Sequence, residues 1–171
     1  MLQSILNKNR SGLMGALLIF AFILSFSACK EEDSFYTDYK AKNEEQLQEY
    51  FKAKGIDPGT LVKTRSGLYY QKLEEGTGVN VFRGDSVAVN YTGILLDGNE
   101  FDSSYKRGKP LKLKVGIGGV IPGWDEGLQL MKEGEKARLF IPSHLGYGRQ
   151  PVQGIPANSV LVFDMVIEDV W

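Results

Sequence analysis

Hydrophobic and polar residues alternate along several short stretches of this chain, and the clearest stretch lies near its centre. Residues 87–91 alternate in such a way that Tyr91 faces the protein core. The Asp97-Gly98 pair that follows is typical of a turn between two antiparallel strands. A second strand is therefore expected to return beside the first and to bring Phe101 and Asp102 close to Tyr91.

The same alternation predicts further strands on both sides of this centre. They cover residues 66–73, 111–115, 137–141 and 160–170. In residues 66–73 neither face is purely apolar, which indicates a strand at the edge of a sheet. In residues 111–115 and 160–170 one face is apolar throughout, which indicates strands with one buried face.

An amphipathic helix is predicted over residues 43–54, with Asn43 as its cap and Gly55 after its end. Its apolar stripe, which includes Leu47 and Phe51, is expected to pack on the following domain or to pair with a second copy of the chain. The second arrangement would make the protein a dimer. We expect a monomer or a weak dimer.

A second, shorter helix is predicted over residues 124–131. Pro122 fits its first turn, Glu126 lies near its positive end, and Gly134 follows its last residue. Antiparallel strands with one short helix indicate an α+β domain, in which a twisted sheet curls over the helix. The predicted fold class is therefore α+β with an N-terminal helical arm.

The first 28 residues have the outline of a signal peptide. Two basic residues, Lys8 and Arg10, precede an uncharged apolar run of 14 residues, 13–26. This run is shorter than the roughly 18 residues that a membrane-spanning helix needs. Removal of residues 1–28 leaves 18 Lys plus Arg against 21 Asp plus Glu, a net charge of −3, so no nucleic-acid partner is expected.

Cys29 is the only cysteine of the chain and lies where the apolar run meets polar residues. The segment from Phe26 to Cys29 resembles the lipobox of bacterial lipoproteins, with Phe26 where that motif usually has Leu. This resemblance implies lipidation of Cys29 and an exported protein anchored in the bacterial cell envelope, at the periplasmic or surface face of the outer membrane. Residues 30–33 resemble the acidic surface-export signal of lipoproteins in Bacteroidetes-type bacteria, or are a solvated tether.

These patterns divide the chain into four parts. They are a signal peptide (1–28), a tether (29–42), a helical arm with its turn (43–59) and a main domain (60–171). The turn is indicated by Asp57-Pro58-Gly59. The last part has the usual size of a single domain.

Four motifs follow one another between residues 85 and 170. They are Tyr91-Thr92-Gly93 with Phe101-Asp102-Ser103-Ser104, then Val120-Ile121-Pro122-Gly123-Trp124, Gly146-Tyr147-Gly148 and Leu161-Val162-Phe163-Asp164. In this order they resemble the FKBP-type peptidyl-prolyl cis-trans isomerases. One short motif is weak, whereas four in order are specific. The resemblance implies the FKBP fold and isomerisation of Xaa-Pro bonds in exported proteins.

The resemblance also implies the residues of the site. Those at catalytic positions are Tyr91, Asp102, Trp124, Tyr147 and Phe163. Those at substrate-binding positions are Phe101, Arg107, Leu111, Val120, Ile121 and Ile155. Trp124 is expected at the floor of the pocket and Tyr147 at its rim. Leu111 stands where many members have an aromatic residue, and residues 150–154 look like a shortened form of a loop that influences substrate choice.

Partners follow from the same resemblance. We expect the pocket to bind proline-containing polypeptides and macrolides of the tacrolimus and rapamycin type. No cofactor is expected, because the isomerisation requires neither a nucleophile nor a metal. With one histidine, His144, and one cysteine, the chain also has no metal-ligand cluster in its sequence. His144 is expected at the surface near a turn. Two alternative functions remain: a binding module that holds proline-containing segments without turnover, and a dimeric chaperone that pairs through residues 43–54 and in which the isomerase pocket is secondary.

Overall fold

The computed structural model describes residues 39–171, and residues 40–171 form one compact unit. Within the described residues, seven strands form one antiparallel sheet: β1 (Val62–Lys63), β2 (Tyr69–Glu74), β3 (Ser86–Leu95), β4 (Glu100–Ser103), β5 (Leu111–Lys114), β6 (Lys136–Ile141) and β7 (Leu161–Val170). Two α-helices, α1 (39–54) and α2 (Pro122–Leu128), pack on opposite faces of the sheet. The predicted signal peptide, Cys29 and residues 30–33 lie outside the described residues.

Strand β3 organises the sheet because it has neighbours along its whole length. The order across the sheet is β1-β2-β6-β7-β3-β4, and β5 pairs with the first half of β3 on the same edge as β4. The predicted return at Asp97-Gly98 is confirmed: Gly98 has a φ of +91° and its N–H donates to the carbonyl of Leu95. Strand β4 then pairs Asp102 opposite Gly93, close to the buried Tyr91.

The strand predicted over residues 66–73 is β2, which starts at Tyr69 and pairs on both sides only at Tyr69 and Tyr70, so the predicted edge position applies to residues 71–74 alone. Its partners are β6 along most of its length and the two residues of β1. Tyr69 and Tyr70 are both buried, one against α1 and the other against the α2 side. Helices cover both faces of β2 only at Tyr69 and Tyr70, whereas Lys72, Leu73 and Glu74 are exposed. Alternation alone does not show which part of a strand is buried on both faces.

Helix α1 includes residue 39, four residues before the predicted start, so the predicted start and cap at Asn43 are wrong. Asn43 lies inside the helix and is 1% exposed. The predicted end is confirmed, because Gly55 has a φ of +66° and donates to the carbonyl of Lys52, while Ile56 donates to the carbonyl of Phe51. This pair of bonds is a Schellman motif, which satisfies the last carbonyls of a helix.

Helix α2 begins and ends earlier than predicted. It spans Pro122–Leu128 instead of residues 124–131, because Pro122 occupies the first turn and Gln129 already ends it. Two glycines allow the helix to lie close to β6: a Cβ atom at Gly123 would be 2.5 Å from a methyl carbon of Ile141, and Gly127 packs similarly on Leu139. This close packing fixes the position of Trp124.

Candidate active site

A cavity of about 430 Å³ opens between α2, β3, β4 and the loops at the end of the sheet. It is lined by Tyr91, Phe101, Asp102, Leu111, Gly118, Gly119, Val120, Ile121, Trp124, Tyr147 and Phe163. All the predicted pocket residues except Arg107 and Ile155 are among these. Residues that are separated by more than 70 positions in the sequence are thus brought to one place by the fold.

Aromatic rings form the floor and one wall of the cavity. Trp124 is 3% exposed, and its ring centroid lies 4.7 Å from that of Tyr91 and 5.2 Å from that of Phe163, both at nearly right angles. Phe101 contacts Phe163 in the same edge-to-face manner at 5.4 Å. Such pairs stabilise each other beyond the burial of their area, so the apolar surface is held in a defined shape.

Gly93 permits this arrangement of the rings. A Cβ atom at this position would lie 2.7 Å from ring carbons of both Phe101 and Phe163. Since real Cβ contacts do not come so close, any side chain at residue 93 would push the two rings apart. The sequence motif contains Gly93, but only the structure assigns it this packing function.

A polar trio lies at the edge of the aromatic wall and consists of Tyr91, Asp102 and Arg107. The Tyr91 hydroxyl donates to Asp102 Oδ2 at 2.5 Å, and Arg107 Nη2 donates to the Tyr91 hydroxyl oxygen at 2.6 Å. Arg107 Nη1 also donates to Asp102 Oδ1, which accepts a further bond from the Ser103 N–H at 2.8 Å. Arg107 is an exposed residue that binds the carboxylate and does not line the cavity.

These contacts fix the protonation states of the trio. Partial burial raises the pKa of Asp102, but the hydrogen bonds from Tyr91 and Arg107 outweigh it and hold that pKa below its usual value. Burial, together with the hydrogen bond to Asp102, raises the pKa of Tyr91 to about 12. At neutral pH the pocket therefore presents a carboxylate and a protonated tyrosine.

Tyr147 lies at the mouth of the cavity, where the cavity opens to solvent. It belongs to a segment that we call the rim loop, residues 143–158. Its side chain is 41% exposed and lines the cavity. Burial and the charge of Asp102 raise the pKa of Tyr147, so its hydroxyl remains a hydrogen-bond donor at neutral pH. Ile155 belongs to the same loop but is 6% exposed and packs in the core behind the cavity.

The segment before α2 forms the remaining wall and contains two lining residues that the sequence did not single out, Gly118 and Gly119. Asp125 shapes this segment, because its carboxylate accepts from the N–H of Gly116 at 2.9 Å and from that of Gly118 at 2.7 Å. The run of glycines next to a helix start was the available signal.

His144 is half-buried in the short 3₁₀ turn Ser143–Leu145, so the predicted position near a turn is confirmed and the side chain is less exposed than expected. Its Nε2 lies 2.8 Å from the carbonyl oxygen of Ser66, and burial lowers its pKa. His144 is not among the residues that line the cavity. In residues 39–171, no group of three or more His, Cys, Asp and Glu side chains could hold a metal ion.

Comparison with known proteins places this fold and cavity in one family. The model of the family described as FKBP-type peptidyl-prolyl cis-trans isomerase matches residues 78–168. The chain therefore belongs to the FKBP-type peptidyl-prolyl cis-trans isomerase family. The resemblance that the four motifs indicated is confirmed, and so is the predicted FKBP-like fold.

Individual relatives agree with this assignment. The FKBP-type peptidyl-prolyl cis-trans isomerase FkpA of Escherichia coli (strain K12) is 48% identical over 147 residues, which are 85% of this chain and 51% of that protein. FK506-binding protein 1A of Neurospora crassa is 53% identical over 100 residues, 57% of this chain and 83% of that protein. The chain thus spans about half the length of the FkpA relatives that it matches.

Solved structures are similar as well. The crystal structure of FkpA from Escherichia coli is 40% identical, with a TM-score of 0.66, over 95% of this chain and 73% of that chain. The crystal structure of AtFKBP13 is 37% identical, with a TM-score of 0.61, over 64% of this chain and 97% of that chain.

Proposed function

We propose that this chain is a peptidyl-prolyl cis-trans isomerase that acts on Xaa-Pro bonds of exported proteins. The observation that carries the proposal is the aromatic cavity with Trp124 at its floor and the trio of Tyr91, Asp102 and Arg107 at its edge. Membership of the isomerase family supports the same reaction class. The proline ring occupies the aromatic part of the cavity, and the polypeptide leaves it past Tyr147.

The reaction requires the amide to twist. Resonance across the C–N bond opposes this with a barrier of about 18–20 kcal/mol. A dry aromatic pocket favours the twisted amide over the planar one. The twisted amide has less charge separation between nitrogen and oxygen, so it loses less hydration free energy when it leaves water. An acceleration of about a hundredfold to ten-thousandfold requires the pocket to bind the twisted amide more strongly than the planar amide by roughly 3–5 kcal/mol.

Polar groups orient the substrate in this mechanism. Both oxygens of Asp102 already accept hydrogen bonds, and its lowered pKa makes it a weak base. We therefore assign Asp102 to orienting and polarising the amide region and not to proton transfer. The N–H of Ile121 and the hydroxyl of Tyr147 are assigned to substrate carbonyls.

A protease-coupled assay on a short Xaa-Pro peptide tests the proposal. The protease cleaves only the trans form, so an isomerase shortens the slow phase of cleavage. Acceleration in proportion to protein concentration is the expected result. Saturable peptide binding without acceleration would instead support the alternative, a binding module that holds proline-containing segments.

The dimeric chaperone is less well supported than the isomerase. It depended on a free apolar stripe on α1, but Leu47 and Phe51 are fully buried against the sheet of the same chain. Light scattering over a range of concentrations gives the oligomeric state, for which we expect a monomer or a weak dimer.

Macrolides of the tacrolimus and rapamycin type are proposed ligands of the same cavity. The Neurospora crassa relative is named an FK506-binding protein. Leu111 is half-buried at the cavity and weakens macrolide binding if an aromatic ring is needed there. A rise in melting temperature with either compound, larger in Leu111→Phe than in the unaltered chain, is the expected result.

We infer from the sequence that the mature protein begins at Cys29 and carries a lipid anchor there. In residues 39–171 there is no helix that is long and apolar enough to cross a membrane. Mass spectrometry of the mature N-terminus is the direct test, with Cys29→Ser as the control. A mature chain that starts at another residue and lacks lipid would refute the anchor.

A further inference from the structure

One buried polar side chain on α1 has no place in the reaction described above. Asn43 is 1% exposed and lies on the side of the helix that faces the sheet. Its amide is fully used: Nδ2 donates to Gln46 Oε1 at 3.0 Å and to the carbonyl oxygen of Asn158 at 3.2 Å. Its Oδ1 accepts from the N–H of Ser143 at 2.8 Å. Buried polar groups with complete and distant partners specify one arrangement of the chain.

The two distant partners of Asn43 are the two ends of the rim loop. The carbonyl of Ser143 accepts from the N–H of Gly146 at 3.0 Å and from that of Gly148 at 2.8 Å, and these glycines flank Tyr147. At the other end, the N–H of Asn158 donates to the carbonyl of Gly148 at 2.7 Å. Both ends are therefore bonded to the turn that carries Tyr147.

The Asn158 end depends on a special backbone conformation. Asn158 has a φ of +59°, the left-handed region that non-glycine residues seldom adopt. Asparagine adopts this region more readily than most other non-glycine residues, and hydrogen bonds to neighbouring segments select it. The bond from Asn43 to the Asn158 carbonyl and the bond from Asn158 to Gly148 are two such hydrogen bonds.

We propose that Asn43 is a positioning residue that closes the rim loop and so places Tyr147 over the cavity. The helix α1 thereby becomes part of the isomerase site, although it lies on the other face of the sheet. Without the Asn43 amide, the Ser143 N–H loses its partner in a buried place, and the half-buried Asn158 carbonyl loses its bond to the helix. The rim loop then samples other arrangements, and Tyr147 spends less time at the mouth.

The effect on catalysis rests on the proposed isomerase function, whereas the effect on the loop does not. Tyr147 contributes to substrate binding at the rim, so its displacement raises KM more than it lowers kcat. The floor and the trio are unchanged, since neither contacts Asn43. A residue with only a structural role would lower stability without this division between KM and kcat.

The test compares Asn43→Leu, which has a similar volume and no polar group, with Gln48→Leu as a control at an exposed position of the same helix. Gln48 lies on the same helix and donates to the Tyr69 hydroxyl at 3.0 Å, but it bonds to neither end of the rim loop. Two quantities are measured well below the melting temperature: steady-state kinetics on an Xaa-Pro peptide, and amide hydrogen exchange of residues 143–158 relative to β7.

In Asn43→Leu we expect KM to rise about tenfold with kcat changed less than about twofold, and exchange of the rim loop to accelerate about tenfold relative to β7. Gln48→Leu should alter neither. Asn43→Asp keeps an acceptor for the Ser143 N–H and should lie between Asn43→Leu and the unaltered chain. If Asn43→Leu does not fold, Asn43→Asp is tested against the unaltered chain in the same two measurements.

Rim-loop exchange that matches the unaltered chain, or that accelerates equally in β7, would overturn the positioning role. An unchanged KM in a folded Asn43→Leu with a loosened loop would overturn its link to the site. If the unaltered chain shows no isomerase activity, the proposed function fails, but hydrogen exchange still decides whether Asn43 holds the loop.

Discussion

The two faces of the sheet are covered by clusters of similar chemistry. On the α1 side, Phe51 contacts Phe140 at 4.8 Å and Tyr69 at 5.2 Å, in the same edge-to-face manner as the rings around Trp124. At its edge is a second polar trio, in which the Tyr69 hydroxyl donates to Glu44 at 2.5 Å and Lys63 lies 2.9 Å from Glu44. We call these residues the closed cluster.

The two faces differ in what occupies the space beside each polar trio. On the closed side α1 fills it, and Leu47 and Phe51 are fully buried. On the other side α2 is short and held close to β6 by Gly123 and Gly127, which leaves a cavity of about 430 Å³. Aromatic rings with a tyrosine, a carboxylate and a cation are thus insufficient for a site, and the open volume is the distinguishing feature.

The largest effect is expected from removal of the pocket floor. Trp124→Ala deletes a buried ring that supports both Tyr91 and Phe163, so we expect a loss of about 3–5 kcal/mol in the free energy of unfolding. We also expect kcat/KM to fall more than about a hundredfold, because the walls lose their shape. Urea unfolding and the protease-coupled assay measure the two effects, and a folded variant with full activity would contradict the assigned floor.

The matching change in the closed cluster is Phe51→Ala. The loss in unfolding free energy should be similar, about 3–5 kcal/mol, because this ring is also fully buried. Under folding conditions kcat/KM should stay within about twofold of the unaltered chain, since the cavity is untouched. A large loss of activity in a folded Phe51→Ala would mean that the packing of α1 affects the cavity by a route other than the bonds of Asn43 to the rim loop.

The carboxylates of the two trios give a sharper comparison. Asp102→Val should lower kcat/KM about tenfold without abolishing it, because orientation of the amide is lost while the apolar pocket remains. Glu44→Val removes the corresponding group from the closed cluster and should leave kcat/KM unchanged. Circular dichroism checks that both variants are folded, and complete loss of activity in Asp102→Val would indicate direct acid-base or covalent chemistry.

A smaller effect is expected at the rim. Tyr147→Phe removes one hydroxyl and keeps the ring, so kcat/KM should fall only about threefold, the effect of one exposed hydrogen bond. Steady-state kinetics on the same peptide measure this change. A loss as large as that of Trp124→Ala would show that the hydroxyl does more than bind a carbonyl.

The smallest effect is expected from pH. The pKa of Asp102 is lowered and that of Tyr91 is raised to about 12, so neither group titrates between about pH 6 and 9 and kcat/KM should be flat there. Because the folded-state pKa of Asp102 is depressed, its contribution to stability is complete above the unfolded pKa and is lost as the pH falls through the folded pKa. A bell-shaped rate profile centred near neutral pH would contradict this assignment.

Much of the pocket side could be predicted from the sequence because its signals are local. The alternation around Tyr91 and the turn at Asp97-Gly98 place Asp102 beside Tyr91, and both features are confirmed in β3 and β4. Helix α2 was predicted as an element but not in its bounds, because Pro122 begins it and no residue signalled its early end.

The closed side could not be predicted to the same degree, because its signals are tertiary. Asn43 looks like a helix cap in the sequence, yet its partners lie at Ser143 and Asn158, about 100 residues away. The strand that contains Tyr69 and Tyr70 was predicted at the sheet edge because neither of its faces is purely apolar. A period-two pattern does not reveal that a second helix covers the other face. The trio likewise needed the structure, because nothing in the sequence pairs Arg107 with the Tyr91 hydroxyl.

The most direct measurement is cis-trans exchange of a short Xaa-Pro peptide, followed by two-dimensional NMR at equilibrium with a catalytic amount of the protein. Exchange cross-peaks report the isomerisation itself, with no protease present. We predict exchange at least about a hundredfold faster than in the free peptide, retained in folded Phe51→Ala and lost in Trp124→Ala. Peptide resonances that shift on binding while the exchange rate stays at its uncatalysed value would contradict the isomerase account.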